Sequence, residues 1–241
     1  EVHLADFDFK GADVKRLLAA HPNIKTVNLD VRDEKSTENY FKQHNLEAVI
    51  CSLPFFLNVH IAKAAKAAKI HYFDLTEDVV VTKEIKTLAQ DAQSAFIPQC
   101  GLAPGFIGIA ANSLMQQFEE CRQVRLRVGA LPERVTNGLH YSLTWSTEGL
   151  MNLYCNPCYA LESGKPVLHS PLEGLEAIQL DGCHYEAFNT SGGLGSLTEL
   201  YPEPSFSMNY KTIRYPGHRD KIRFLLHELG LIHDKPTLKR I

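Results

Sequence analysis

Two short stretches hold the residue types best suited to chemistry. In "NYKTIRYPGH", residues 209–218, two cations and a histidine (Lys211, Arg214, His218) gather around the chain-reversing pair Pro216-Gly217. A guanidinium presents a planar fork that holds a carboxylate through two parallel hydrogen bonds, which an ammonium cannot copy. Along an extended strand, Lys211 and Arg214 fall on opposite faces, so simple pleating aims only one of them at a given ligand. Arg214, next to the turn, is the better candidate. The plainer reading is a strand running into a solvated turn or an arginine satisfying interdomain carbonyls. In "HYFDLTED", Asp74, Thr76, Glu77 and Asp78 crowd behind a strand-like run. Thr76 there fits a helix cap as well as a site.

The elements that would carry these groups follow from hydrophobic periodicity. In the first hundred residues, short apolar runs at 1–7, 24–31, 46–54, 70–75 and 95–101 alternate with helix-like stretches at 11–20, 36–44, 57–69 and 82–93. Strand–helix–strand alternation with doubly apolar runs argues for a parallel sheet covered by helices. After a helix at about 105–118, "RQVRLRVGAL" and "GLHYSLTWS" alternate with period two, as half-buried antiparallel strands do. "SFSMNYKTIRY" reads as another strand. "HRDKIRFLLHELGL" reads as a final helix with Ile222, Leu225, Leu226 and Leu229 on one stripe. The expected architecture is therefore α/β: a Rossmann-type parallel sheet formed by 1–114 and 213–241, interrupted by an α+β antiparallel-sheet domain at 115–212.

Ligands of open parallel sheets bind beyond the carboxyl ends of the strands. "ADFD" ends the first run with Asp6. At the end of the second strand of a dinucleotide fold, such an acid binds the ribose hydroxyls and favours NAD over a 2′-phosphate. A helix cap or a solvated loop acid explains it equally well. No glycine-rich loop precedes Asp6, so the first strand and its glycine turn are expected upstream of Glu1. "NLDVRD" puts Asp30 and Val31 where an adenine would lie. "CSLPFF" supplies Ser52, Leu53 and Pro54, and Pro54 ends a strand and opens a helix. In "CGLAPGFIG", Gly101, Pro104 and Gly105 shape a tight turn exposing N–H groups at a helix start. Trp145, the only tryptophan, serves as packing anchor or substrate wall. "NTSGGLGS" does not follow a buried parallel strand and suits an interdomain turn better than a phosphate loop.

The 241 residues are 44% hydrophobic and 22% charged, with a net charge of −3. With no long basic block, neither nucleic acid nor an anionic membrane is an expected partner. The apolar runs are too short to span a bilayer. Six scattered cysteines in a chain of this size suit reduced thiols and a cytoplasmic setting, and the single "CNPC" has no second pair to complete a metal site.

Four motifs occur in order: "CSLPFFLNVHIAKAAKAAKIHYFDLTED", "CGLAPGF", "GALPERVTNGLHYSLTWSTEGL" and "YKTIRYPGH". Together they resemble the saccharopine dehydrogenase-like oxidoreductases, in the branch containing lysine 6-dehydrogenase and glutamate-forming saccharopine dehydrogenase. The resemblance covers nearly the whole chain. It implies an NAD(P)-binding domain, a homodimer, and hydride transfer at a carbon–nitrogen bond of a basic amino acid; with Asp6 at the ribose, NAD is the expected cofactor and NADP is possible. It also implies that Ser52 to Pro54 and Thr76 line the nicotinamide end, while Asn137, Trp145, Lys211 and Arg214 face the substrate. Glu77 or Asp78 would manage the amine proton. Where saccharopine reductases resemble "GLDPG", this chain has Ala103, which favours a smaller amino acid such as lysine. A nucleotide-sensing or dimerising module without turnover, and a reductase of polyamine synthesis, are the rival readings.

Overall fold

The computed structural model describes residues 1–200 and 206–238, and it divides into two compact units. The first comprises Glu1–Phe73 and Glu84–Ile97, the second Asp74–Lys83 and Pro98–Ile241. This division differs from the expected one. The boundary falls near residue 97 rather than 114, and the segment from 213 onward belongs with the second unit.

Elements alternate through the first ninety-odd residues as periodicity predicts: β1 (Val2–Asp6), α1 (Ala12–Ala20), β2 (Ile24–Asn28), α2 (Glu34–Gln43), β3 (Ala48–Cys51), α3 (Asn58–Ala68), β4 (His71–Asp74), α4 (Val79–Ala89) and β5 (Phe96–Ile97). The strands form two ladders, the parallel pair β1–β2 and the sheet β3–β4–β5, in which β4 and β5 are parallel. α3 buries Ile61, Ala62, Ala64 and Ala65, and the small residues let it lie close on its neighbours. α2 is capped by Asp33, whose carboxylate accepts the Ser36 amide at 3.0 Å. α1 buries no residue at all.

The second unit contains α5 (Phe106–Met115), β6 (Gln123–Val128), α6 (Thr147–Cys155), β7 (Cys158–Glu162), β8 (Lys165–His169), β9 (Glu176–Leu180), β10 (Cys183–Asn189), α7 (Leu197–Leu200), β11 (Ser207–Arg214) and α8 (His218–Arg223). The strands make a six-stranded sheet in the order β8-β7-β11-β10-β9, with β6 paired to β11. Two hairpins close with consecutive left-handed residues. They are Ser163-Gly164 (φ 49° and 73°) and Asp181-Gly182 (φ 49° and 78°), the geometry that matches strand twist in two-residue turns. Two apolar clusters fill the unit. One joins α5 to the sheet through Ala111, Leu126, Leu161, Met208 and Tyr210. The other gathers Leu153, Tyr154, Leu172, Phe188 and Leu226, with Ile222 and Ile232 against it. This second cluster holds the C-terminal helices in the second unit.

Three further expectations are corrected. β6 runs parallel to β11, not antiparallel. Residues 138–146 form no strand, because Asn137 and Tyr141 bond to each other's backbone and side chain in a local loop (2.6 and 3.3 Å). The final helix is not continuous: α8 gives way to a π-turn at Phe224–Glu228, which buries Leu226 but leaves Leu229 55% exposed. The strand expected from 205 begins at Ser207, and Ser205 lies outside the described residues. Among the described residues no helix is long and apolar enough to cross a membrane.

Candidate active site

The polar residues of the second unit converge on the end of β11. Pleating buries Met208, Tyr210, Thr212 and Arg214 along that strand. Arg214 is 3% exposed. Its Nε donates to the Tyr154 hydroxyl at 3.0 Å and its Nη1 to the Ile213 carbonyl at 2.9 Å. Its guanidinium lies 4.6 Å over the Tyr141 ring. Among the described residues no carboxylate pairs with it, and Nη2 has no protein partner. A buried guanidinium without a counter-charge is costly, and its free outer edge has the geometry to accept an anion.

Local sequence explains each wall. Pro216 and Gly217 (φ 86°) turn the chain, and the Glu186 carboxylate accepts the amides of Gly217 (2.8 Å) and Arg219 (2.7 Å) at the start of α8. That turn delivers His218, 1% exposed. α6 begins at Ser146, whose hydroxyl accepts the Gly149 amide at 3.1 Å, and carries Tyr154 on its last turn. Trp145 Nε1 donates to the Tyr141 hydroxyl at 3.0 Å, and Asn137 holds the Tyr141 backbone.

Tyr154 Oη stands 2.9 Å from His218 Nε2, and His218 Nδ1 stands 2.7 Å from the Leu139 carbonyl. Burial pushes the His218 pKa down to about 4, and burial pushes the Tyr154 hydroxyl up to about 12. The imidazole is therefore neutral and the phenol protonated at physiological pH.

The acidic stretch "DLTED" folds differently from its neighbours in sequence. The Asp74 carboxylate accepts the amides of Thr76 and Gln99, both at 3.0 Å. Thr76 accepts the Asp78 amide at 3.0 Å, so it acts as a turn cap. Asp78 is committed on both oxygens, to the Val81 amide (2.8 Å) and Asn152 Nδ2 (2.9 Å). Glu77 is the exception. Among the described residues its Oε1 is buried with no hydrogen-bond partner, and burial, with the charges of Asp78 and Asp74 adding to it against an opposing backbone hydrogen bond, raises its pKa. Two glycines make room for it. A Cβ at Gly149 would stand 2.8 Å from Glu77 Oε1 and 2.4 Å from Trp145 Cζ3, and one at Gly192 would stand 2.6 Å from the Glu77 carbonyl.

Within the second unit, then, Asn137, Trp145 and Arg214 come together, and Glu77 shares Trp145 and Gly149 as neighbours. Lys211 does not join them. It lies across β11 from Arg214, bonded to Glu176 (2.8 Å) and the Gly174 carbonyl (2.6 Å), with Arg127 on the same carboxylate. Tyr215 is also directed elsewhere, donating to the Pro132 carbonyl at 2.9 Å, and Tyr141 supplies the ring beneath the guanidinium instead. Gly101 pairs with Gly105, and its carbonyl accepts the Phe106 amide at 2.8 Å, so the turn consumes part of the N–H set expected to face a ligand. Cys158 is buried, and its thiol is pushed up to about 12, which makes it a packed rather than reactive sulfur.

In the first unit, Asp6 ends β1, and its Oδ1 accepts the amides of Phe7 (2.6 Å) and Asp8 (3.2 Å). Asp30 grips Arg32 through both oxygens, and that pairing lowers its pKa to about 2. Val31 is half-buried beside it. Ser52 is exposed, Leu53 and Pro54 are half-buried, and the Pro54 carbonyl accepts the Leu57 amide at 2.9 Å to open a helical turn.

Residues 101–240 match the saccharopine dehydrogenase C-terminal domain, and residues 1–97 match the saccharopine dehydrogenase NADP binding domain. The chain belongs to the saccharopine dehydrogenase family. Alpha-aminoadipic semialdehyde synthase of Bos taurus mitochondria is 27% identical over 247 residues, 92% of this chain and 25% of the relative. The glutamate-forming saccharopine dehydrogenase [NADP(+)] of Schizosaccharomyces pombe is 26% identical over 152 residues, 61% of this chain and 33% of the relative. The apo saccharopine dehydrogenase (L-Glu forming) of Saccharomyces cerevisiae superposes with a TM-score of 0.71 at 19% identity. That match covers 96% of this chain and 53% of the yeast chain, and it shows the shared fold. The chain spans about a quarter to a third of the length of these curated relatives.

Residues missed from sequence are Tyr141, Tyr154, Asn152 and Gly149. The signal for three of them was the Ser146 cap, which sets the phase of α6 and puts Gly149 and Asn152 one turn apart.

Proposed function

We propose that this chain is part of an NAD(P)-dependent oxidoreductase acting on the carbon–nitrogen bond of a basic amino acid, with Arg214 holding the substrate carboxylate. The observation that carries this reading is the buried Arg214 with an unpaired outer edge. Tyr141 and Tyr154 fix two sides of the guanidinium, so the fork is oriented before any ligand arrives and little rotamer entropy is lost on binding.

Glu77 manages the amine proton. Its enclosed oxygen and raised pKa suit a carboxyl that accepts a proton as the carbon–nitrogen bond is oxidised, and returns it in the reverse direction. Asp78, bonded on both oxygens, positions the loop that carries Glu77. Bound nicotinamide supplies the hydride acceptor or donor, and the protein's share is placement and proton handling. Asp6 at the carboxyl end of β1 fits a ribose diol: one oxygen is spent on its own loop and the other makes no bond among the described residues. Asp30, Val31, Ser52, Leu53 and Pro54 complete the first unit's cofactor contacts in this reading, and Thr76 and Gly101 are the second unit's own candidates for touching the cofactor. Ala103 packs against the apolar cluster of α5. A small apolar residue there supports lysine over saccharopine as substrate. The exposed Leu168 and Leu180 of the second unit's sheet support a twofold dimer through that sheet, which light scattering at tens of micromolar would check.

The test is Arg214→Lys in the protein assayed with L-lysine and both cofactors. Catalytic efficiency should fall about a hundredfold, roughly 3 kcal/mol, with cofactor affinity unchanged. A sharp loss of melting temperature with unchanged substrate affinity would make Arg214 a strut. Cofactor binding without turnover of any amino acid would favour the sensing module.

A further inference from the structure

We infer that Tyr154 and His218 are positioning residues that orient the Arg214 fork through a one-directional hydrogen-bond chain. This rests on the reading of Arg214 as the carboxylate-binding group. The direction of the chain follows from chemistry at its far end. The Leu139 carbonyl can only accept, so His218 Nδ1 carries the proton across their 2.7 Å bond. In the neutral ring Nε2 is then an acceptor, and it takes the Tyr154 proton across 2.9 Å. With its own proton committed, Tyr154 presents a lone pair, and Arg214 Nε donates to it at 3.0 Å. Each member has one role, and a reversal at any point would leave two donors or two acceptors facing each other in a buried space.

Packing holds the chain rigid. Phe188 stacks on the His218 ring at 6.4 Å and 11°, and Tyr141 meets the same ring edge-on at 5.5 Å while lying under the guanidinium. With Nε tied to Tyr154 and Nη1 to Ile213, rotation about the last side-chain bond is fixed, and the remaining edge points one way. Tyr154 lies in an otherwise apolar cluster with the His218 ring against Phe188, and burying these polar groups is costly unless they are hydrogen-bonded, as this chain makes them.

Trp145 is the only tryptophan and is bonded to Tyr141, so its fluorescence reports on this site. The experiment titrates it with L-lysine and with 1,5-diaminopentane, the same amine without the carboxylate, in the presence of NAD. The ratio of the two dissociation constants measures carboxylate recognition alone. Tyr154→Phe should reduce that ratio at least tenfold. Two histidine variants separate relay from scaffold. The carbonyl of His218→Gln reaches the Nε2 position and can still accept from Tyr154, so the ratio should stay within about threefold of wild type. His218→Asn keeps only the Nδ1-side donor to Leu139 and should lose as much as Tyr154→Phe. An unchanged ratio in Tyr154→Phe, or the reverse order of the two histidine variants, overturns the inference. Arg214→Lys is the control: if it too leaves the ratio unchanged, the carboxylate reading of Arg214 has failed. No fluorescence response to lysine overturns both.

Discussion

The two units treat charge in opposite ways. In the first, the candidate acids Asp6 and Asp30 are exposed and bonded within their own loops, and α1 buries nothing. In the second, Arg214, His218, Asp78 and Thr212 are buried and bonded across elements far apart in sequence. An exposed group can be exchanged at little cost, because water replaces what is lost. A buried group takes its partners down with it. The first unit should therefore be tunable one residue at a time, and the second only as a network.

The largest test of that contrast is acid titration. His218 has a folded pKa of about 4 against an ordinary 6.5, chiefly through burial, with the Leu139 bond opposing and Arg214 adding to the effect. Because the folded value is depressed, the unfolded chain takes up the proton first as pH falls. The stabilisation is complete above about 6.5 and is lost progressively towards 4, amounting to about 3 kcal/mol. Urea unfolding between pH 7 and 4.5 should show this slope, and His218→Gln should flatten it. Asp30 in the first unit behaves on a separate scale. Its lowered pKa, held mainly by Arg32, matters only below the ordinary 3.8, down to about 2. A pH-independent stability over 7 to 4.5 would break the comparison.

Gly149→Ala comes next. The added methyl would meet Trp145 Cζ3 at 2.4 Å and Glu77 Oε1 at 2.8 Å, both in the second unit. Overpacking of this kind costs about 2 kcal/mol despite alanine's better helix propensity. Melting temperature should fall and Trp145 fluorescence shift, because Trp145 has to move. An alanine at Gly138, where nothing lies within 4 Å of the new methyl, should do neither. Equal effects at the two sites would mean that the cradle around Glu77 is looser than drawn.

The same contrast explains what could be read in advance. The first unit's strands and helices follow local periodicity, and every strand run and helix expected there is present within a few residues. The second unit's sheet is assembled by pairing between distant strands, so β6 turned out parallel to β11 and 138–146 formed a loop around Asn137 and Tyr141. Arg214 was legible because a strand's alternation and a following Pro-Gly turn are both local. Tyr154 was not, because its role depends on His218, sixty-four residues away. Lys211 was grouped with Arg214 by the resemblance although alternation had already separated the two, and the carboxylate that claims it, Glu176, lies on another strand.

The smallest expected effect concerns Asp6. Its Oδ1 closes a turn by accepting the Phe7 and Asp8 amides at the end of β1, and a serine hydroxyl can take over that local role. Asp6→Ser should therefore change stability by less than about 0.5 kcal/mol. Its effect on the cofactor should be larger. A carboxylate pairs with a free ribose 2′-hydroxyl and repels a 2′-phosphate, so the unmutated protein should bind NAD more tightly than NADP. The family's domain is described as NADP binding, which makes the measurement pointed. Calorimetric titration with both nucleotides should show the variant's preference narrowed about tenfold, near 1.4 kcal/mol. Tighter binding of NADP by the unmutated protein would remove Asp6 from the ribose and leave it as a turn-closing residue. A large loss of stability in Asp6→Ser would be the more informative failure. It would mean that an exposed, locally bonded acid supports the first unit as a buried one supports the second, and that the two units differ in accessibility rather than in coupling.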